Sequence, residues 1–350
     1  MAAALYPLKI AGIIQETPDT RSFVFAVPPE HREVFSYKAG QFLTFEIPWN
    51  GMRLRRCYSL ASSPDTDPWH KVTVKRVVDG RVSNWFNDEL AVGDTIEVIP
   101  PEGRFVLRAD AGDRGVVLFG AGSGITPVIA LMKSALRTTD RRIKLVYANR
   151  DADSIIFKDE IDLWRATYPN RLDVHHHLDS DGGFMTIRHV EELCTGWEES
   201  DFYVCGPGPF MDTVEAGFEA LSIDAGQTHF ERFVSPVDED RKDPAAGLEE
   251  PAPGDAPATF TMTLEGATAE VPYKPGSTLL QSAVAAGYDA PSSCEDGYCG
   301  CCMAQMKHGS VQMASREALT DDDIDKGWIL TCQAKPNSSE QLEIDFDAVY

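Results

Sequence analysis

Cys294-Glu295-Asp296-Gly297-Tyr298-Cys299-Gly300-Cys301-Cys302, answered far downstream by Cys332, is the stretch on which the reading of this 350-residue chain turns. Three thiols spaced C-x4-C-x2-C with a distant fourth match the way thiolates hold a plant-type [2Fe–2S] cluster. Each iron takes two thiolates, and the negative charge on sulfur needs N–H donors around it. A loop can aim such donors, whereas helix amides are already committed. Gly297 and Gly300 let the chain double back without a Cβ in the way, and Ser292 and Ser293 add donors beside the first thiol. The expected ligands are Cys294, Cys299, Cys302 and Cys332. Cys301 breaks the spacing and is expected to face the interior as a small hydrophobe, with a ligand exchange left open. Disulfides and structural zinc are the competing readings, but zinc modules usually show two short C-x2-C steps and only one exists here.

Working outward, the length predicts two or three domains. A hydrophobic content of 43% with 25% charged residues is that of an ordinary soluble globular protein. The first residues show no basic segment followed by a long apolar core, so no signal peptide is expected. The most apolar window, 116–132, is interrupted by glycines, a serine, a threonine and a proline, which argues against a membrane span. A cytoplasmic location follows as the expectation, and thiols stay reduced there, which weakens the disulfide reading. The net charge of −23 disfavours a nucleic-acid partner. It fits either simple solubility or the steering of a basic protein partner.

Residues 1–110 read as short alternating strands at 9–14, 22–27, 41–47, 53–59, 71–77 and 95–98, with one helix at 83–90. Regular short strands predict a small antiparallel β-barrel. The strand Arg56-Cys57-Tyr58-Ser59 places Arg56 and Tyr58 on one side by its two-residue period, with Ser59 at the turn. A cation, an aromatic face and a hydroxyl thus meet in one volume. Gly80, Val82 and Ser83 at a helix N-terminus form an anion site from free N–H groups and the helix dipole. Together these features suit a flavin nucleotide. Alone, they are also compatible with a strand pair and a capped surface helix.

From 111 to 235 strands and helices alternate, which predicts a doubly wound α/β sheet. A continuous apolar strand at 115–120 leads into Ala121-Gly122-Ser123-Gly124-Ile125-Thr126-Pro127 and a helix at 128–136. Gly120, Gly122 and Gly124 permit close approach of a pyrophosphate, while Thr126 can bond a phosphate oxygen or cap the helix. Cys205-Gly206-Pro207-Gly208-Pro209 ends a later strand at the same carboxyl edge, with Cys205 expected to face a crevice fit for a nicotinamide ring. His175-His176-His177 is not a metal site on this reading, because adjacent strand residues point to opposite sides. Arg150 could meet a 2′-phosphate, but Asp151 and Asp153 would repel one, so NADH is favoured and NADPH remains possible. Residues 236–258, rich in Pro, Ala, Gly and acids, read as an inter-domain tether. A compact α+β unit at 259–350 carries the cysteine loop.

These motifs make the chain resemble ferredoxin–NADP-reductase-type flavoproteins with a C-terminal plant-type ferredoxin of β-grasp fold. The resemblance rests on Arg56-Cys57-Tyr58-Ser59-Leu60, Thr73-Val74-Lys75-Arg76, the glycine turn, Tyr147-Ala148-Asn149-Arg150-Asp151, Cys205-Gly206-Pro207-Gly208-Pro209-Phe210-Met211 and the cysteine loop. Within that family it looks most like reductase components of steroid 9α-hydroxylating and phenylacetyl-CoA-epoxidising systems. The resemblance implies FAD on the barrel, at Arg56, Tyr58, Ser59 and 80–83, with Lys75 beside it. It implies NAD(P)H on the doubly wound domain, and Glu231 and Phe233 beside the flavin. Electrons would leave through the cluster to an oxygenase with a Rieske-type or diiron centre, with no residue acting as nucleophile or acid. A stand-alone flavin reductase or NADH oxidase, and a zinc-binding regulatory protein, are the readings set against it.

Overall fold

Alternation of buried and exposed side chains at the start of the first strand, with Leu8 and Ile10 fully buried around exposed Lys9, sets the inner face of the first sheet. The computed structural model describes residues 4–49, 52–108, 112–233, 256–295, 297, 299–316 and 318–348. Asp296, Tyr298 and residues 236–255 of the expected tether lie outside the described residues. Two compact units result, one of Tyr6–Phe233 and one formed by the C-terminal part of the chain.

In the first unit, β1 (Tyr6–Thr17), β2 (Thr20–Ala26), β3 (Phe42–Trp49), β4 (Met52–Ser59), β5 (His70–Lys75) and β6 (Thr95–Glu102) form an antiparallel sheet in the order β4-β3-β6-β1-β2-β5. Its two ends meet where Leu60 bridges Val72 and Ala61 N donates to Lys71 O at 2.7 Å. The strip is therefore a barrel. α1 (Arg81–Glu89) presses Phe86 into it, 5.3 Å from both Phe23 and Phe45. β6 runs on to Glu102, past Val98 where the expected strand ended and through Pro100 and Pro101. The prolines fall in the irregularity between Ile99 and Glu102, beyond the last residue that β1 pairs, so their missing N–H groups cost no ladder bond there.

Five parallel strands follow: β7 (Val116–Ala121), β8 (Ile143–Asn149), β9 (Leu172–Leu178), β10 (Asp201–Gly206) and β11 (Thr228–Arg232), in the order β11-β10-β7-β8-β9. Between them lie α2 (Ile125–Thr138), α3 (Lys158–Thr167), a single turn α4 (Asp179–Gly182), α5 (Ile187–Cys194) and α6 (Gly208–Ala220). Separate apolar cores cover the two faces of the sheet, one around Val128 and Ile129, the other around Val117 and Phe119. β11 was not expected. His229-Phe230-Glu231-Arg232 shows no apolar alternation, and only its pairing with β10 makes it a strand.

In the second unit, β12 (Thr259–Leu264), β13 (Ala267–Pro272), β14 (Met303–His308), β16 (Trp328–Leu330) and β18 (Glu343–Asp345) make a mixed sheet, β13-β12-β18-β14-β16. α7 (Leu279–Ala285), α8 (Asp321–Asp325) and a small hairpin pair, β15 (Val311–Met313) with β17 (Ala334–Pro336), complete it. β14 escaped the sequence reading because Met-Ala-Gln-Met-Lys-His carries no β-branched residue. It begins one residue after Cys302, so the end of the cysteine loop is fixed to the sheet between β18 and β16.

Candidate functional site

The cysteine loop closes onto the segment that carries the distant thiol. Cys294, Cys302 and Cys332 are buried, and Cys299 and Cys301 are half-buried. Cys301 thus differs from its expected interior position, which Cys302 occupies at 2% exposure. The Cys302 and Cys332 thiols hydrogen-bond each other. That bond pulls the Cys302 thiol below its usual range and pushes the Cys332 thiol up, with Cys294 in electrostatic reach. Thr331 holds the loop through its N–H and hydroxyl, both donating to Cys302 O at 3.1 and 2.9 Å. Glu295, Gly297 and Gly300 adopt φ of +58°, +83° and +70°, the left-handed turns that fold a loop tightly on itself. A Cβ on Gly297 would lie 2.8 Å from Gln333 Cγ, so the close approach itself requires glycine.

Gln333 was missed from sequence. Its buried amide Nε2 donates to Glu295 O at 3.0 Å, to Cys332 O at 3.2 Å and to Cys332 Sγ at 3.5 Å. It therefore ties the loop after Cys294 to Cys332. Its position directly after the last cysteine was the available signal. Among the described residues, no three Cys, His or carboxylate groups stand in position to share a single metal ion. Buried thiols approaching pairwise, in a tight loop with a donor aimed at sulfur, fit a two-iron cluster.

On the barrel, β4 carries Arg56, Tyr58 and Ser59, paired in register with Phe45, Leu43 and Phe42. The Tyr58 ring stands 5.1 Å from Phe86 and 5.9 Å from Phe45, which fixes its orientation. Ser59 is 3% exposed, and its Oγ has no hydrogen-bond partner among the described residues. A buried hydroxyl left orphaned is costly unless a ligand completes it. Gly80 is the N-cap of α1, whose first turn holds no acidic side chain, so its positive end is not neutralised from within. Ser83 Oγ accepts from Val77 N at 3.1 Å, and Asn87 Nδ2 donates to Ser83 O at 2.8 Å. Val82 and Ser83 are both buried. The residues present fit a flavin nucleotide.

The winding of the chain reverses between β7 and β10, the switch point where such sheets open a crevice at their carboxyl ends. Gly120 pairs there with Cys205, and Cys205 with Glu231. A Cβ on Gly124 would lie 2.1 Å from Cys205 O, so the glycine turn lies directly against the end of β10. Thr126 Oγ1 donates to Ser123 O at 3.0 Å, which braces the glycine turn, while the N-cap position of α2 is Gly124 and carries no side-chain cap. α2 starts at Ile125, three residues earlier than expected, because the 3-10 turn Gly122–Gly124 runs straight into it. Pro127 sits in the first turn, where a missing N–H is harmless. Lys75 of β5 reaches this turn, its Nζ 4.0 Å from where a Gly122 Cβ would stand.

Cys205 is fully buried, and burial pushes its thiol up. Burial likewise pushes the Glu231 carboxyl up to about 8. Gly206 is buried behind Pro207, the N-cap of α6. Phe233 is 37% exposed at the end of this unit. Arg150 Nε meets Asp151 Oδ2 at 2.9 Å, and its Nη2 donates to Ser154 Oγ at 3.1 Å. Ser154 and Arg150 together lower the Asp151 carboxyl to about 2. No helix among the described residues is long and apolar enough to cross a membrane.

Three family descriptions match this chain: an oxidoreductase FAD-binding domain over residues 7–107, an oxidoreductase NAD-binding domain over 118–216 and a 2Fe-2S iron-sulfur cluster binding domain over 262–337. Fold and matches define the class, a modular oxidoreductase that uses FAD, NADH and a [2Fe–2S] cluster. The chain is 42% identical over 341 residues, 97% of its length and 96% of the relative's, to the ferredoxin reductase component of 3-ketosteroid-9-alpha-monooxygenase from Rhodococcus rhodochrous. It is 30% identical over 357 residues, 98% of both chains, to a component of the 1,2-phenylacetyl-CoA epoxidase of Escherichia coli. The solved structure of phthalate dioxygenase reductase matches at a TM-score of 0.59 and 28% identity, covering 98% of each chain. The chain belongs to the family of [2Fe–2S]-containing ferredoxin reductase components of multicomponent oxygenases.

Proposed function

We propose that this chain is the NADH-dependent reductase of a steroid-hydroxylating oxygenase, a cytoplasmic protein delivering single electrons to a Rieske-type or diiron centre. The observation that carries the steroid reading is the 42% identity over nearly the full length of both chains, against 30% for the epoxidase component. The bound cofactors supply the chemistry, hydride from nicotinamide divided by flavin into single electrons that leave through iron and sulfide.

The chain's own residues hold and align. Arg56, Tyr58, Ser59 and the amides of Val82 and Ser83 hold the flavin nucleotide, with Gly80 turning the chain into that helix end and Ser59 Oγ the donor that a ligand would complete. Gly120, Gly122 and Gly124 cradle the nicotinamide nucleotide's pyrophosphate, Thr126 braces that turn through its bond to Ser123 O, and Lys75 adds a cation from the barrel side. Cys205, Gly206 and Pro207 shape the crevice, and Glu231 and Phe233 close the end of the same unit. Cys294, Cys299, Cys302 and Cys332 ligate the cluster. The working modules are 1–110, 111–235 and 259–350, joined by a tether at 236–258.

Asp151 underlies the choice of NADH. It occupies the guanidinium of Arg150 and stays ionised, so a 2′-phosphate meets a neutralised cation and a fixed negative charge. The reading is tested by reconstitution: the pure reductase is mixed with NADH and either a ketosteroid 9α-hydroxylating or a phenylacetyl-CoA epoxidising oxygenase. Coupled turnover with the first and little with the second is expected. The reverse preference would move the substrate class to the thioester.

A further inference from the structure

Lys133 lies in the middle of α2 with 1% of its side chain exposed, in a helix whose residues Ile125 to Leu136 are all buried. A lone ammonium in such a place would be strongly destabilising. All three of its N–H groups are used: Nζ reaches Asp67 Oδ2 at 2.7 Å, Glu160 Oε1 at 2.8 Å and Ala61 O at 3.3 Å. Ala61 and Asp67 belong to the loop that leaves β4 just after Ser59. Glu160 belongs to α3 of the nucleotide domain.

The set extends in both directions. Glu160 Oε2 takes Lys71 Nζ of the barrel at 3.1 Å, and Lys71 also stands 4.6 Å above the Phe157 ring. Ser134, next to Lys133, meets Ser63 Oγ at 2.9 Å and donates to Asp65. Asp67 is held in turn by Ser63 N at 2.7 Å and Thr66 Oγ1 at 3.2 Å. Glu16 faces the set from β1, bonded to Ser22 at 2.5 Å, with burial raising its carboxyl. Two separate sheets are thus joined by directional bonds to a saturated ammonium. Apolar faces alone can slide over one another, but a saturated buried ion permits one geometry.

We propose that Lys133, with Asp67 and Glu160 as its anchors, is the positioning residue that sets the flavin-bearing strand against the nicotinamide-bearing turn. The connection is short at both ends. α2 begins at Ile125, directly after the glycine turn, and the loop 61–67 follows Ser59 within two residues. A rotation of one domain on the other that displaces the reacting rings by about 1 Å costs on the order of a hundredfold in rate. The inference rests on the shared FAD and NADH chemistry of the class and not on the identity of the oxygenase.

The test uses the full-length protein carrying FAD and its cluster, with anaerobic flavin reduction by NADH followed in a stopped-flow instrument. Lys133→Met keeps length and bulk while removing the charge. The limiting rate of flavin reduction is expected to fall about tenfold or more, with the NADH dissociation constant within about twofold and the nicotinamide–flavin charge-transfer absorbance weakened. A limiting rate and charge-transfer band like those of the parent, even with a lowered melting temperature, would reduce Lys133 to a stability role and overturn the proposal. Should Lys133→Met not fold, Asp67→Asn and Glu160→Gln decide: a fall in limiting rate in either at unchanged NADH affinity supports the proposal, and parental rates in both refute it. Loss of coupling to a chosen oxygenase with flavin reduction intact would instead count against the partner assignment alone.

Discussion

Gln333 is a buried and Glu231 a half-buried polar side chain, and their surroundings make opposite demands. The Gln333 amide nitrogen is engaged as a donor, one of its bonds going to the Cys332 sulfur. A donor to thiolate stabilises the more negative, reduced state of a cluster. Gln333→Leu should therefore make the cluster's reduction potential more negative, by about tenfold in the equilibrium constant or about 59 mV for one electron, read by redox titration under EPR. Glu231 carries an unfavourable burial. Its carboxyl is pushed from 4.5 up to about 8, so between those values the folded chain holds a proton that the unfolded chain has lost. Stability of the flavin–nucleotide unit should then fall as pH rises through that window, and Glu231→Gln should remove the slope. Melting temperatures of both proteins at a few pH values check this. Asp151→Asn frees Arg150 and removes the repelling charge, so the ratio of kcat/KM for NADPH over NADH should rise about tenfold.

At the scale of elements, the glycine turn is where sequence and packing agree most closely. Gly124 has an ordinary helical φ of −62°, so its need for glycine is purely one of space against Cys205 O. Gly124→Ala should destabilise the doubly wound domain by about 3 kcal/mol, at the upper end for overpacking, and abolish NADH binding while leaving the cluster spectrum intact. Denaturant melts and nucleotide titration measure both. The turn was legible because its glycines lie at fixed short spacing after an apolar strand. The cysteine loop was legible for the same reason, since ligand spacing is a one-dimensional signal. β11 and β14 were not, because their residues become strands only through the neighbours they pair with. The Lys133 set was equally silent: Ala61, Asp67, Lys71, Lys133 and Glu160 are ordinary residues in sequence, and only the docking of barrel on sheet brings them together.

On the scale of the whole molecule, alternation of structure types along the chain announced the architecture, a barrel, a doubly wound sheet and a ferredoxin fold, before any contact was known. The charge of −23 then bears on partners. Electron delivery to a basic acceptor should weaken as salt screens the attraction, which a salt series on the coupled rate measures. The tether proposed at 236–258 belongs to this scale as well, and shortening it should slow delivery to the native acceptor while sparing flavin reduction. All of this presupposes that three carriers in one chain exchange electrons. Anaerobic titration with NADH, watching the flavin and iron–sulfide absorbance together, tests that most directly. The account predicts bleaching of both, complete at about one and a half equivalents per chain, two electrons for the flavin and one for the cluster. Flavin that bleaches at one equivalent while the iron–sulfide bands stay oxidised, or protein that holds no iron and acid-labile sulfide, would contradict it.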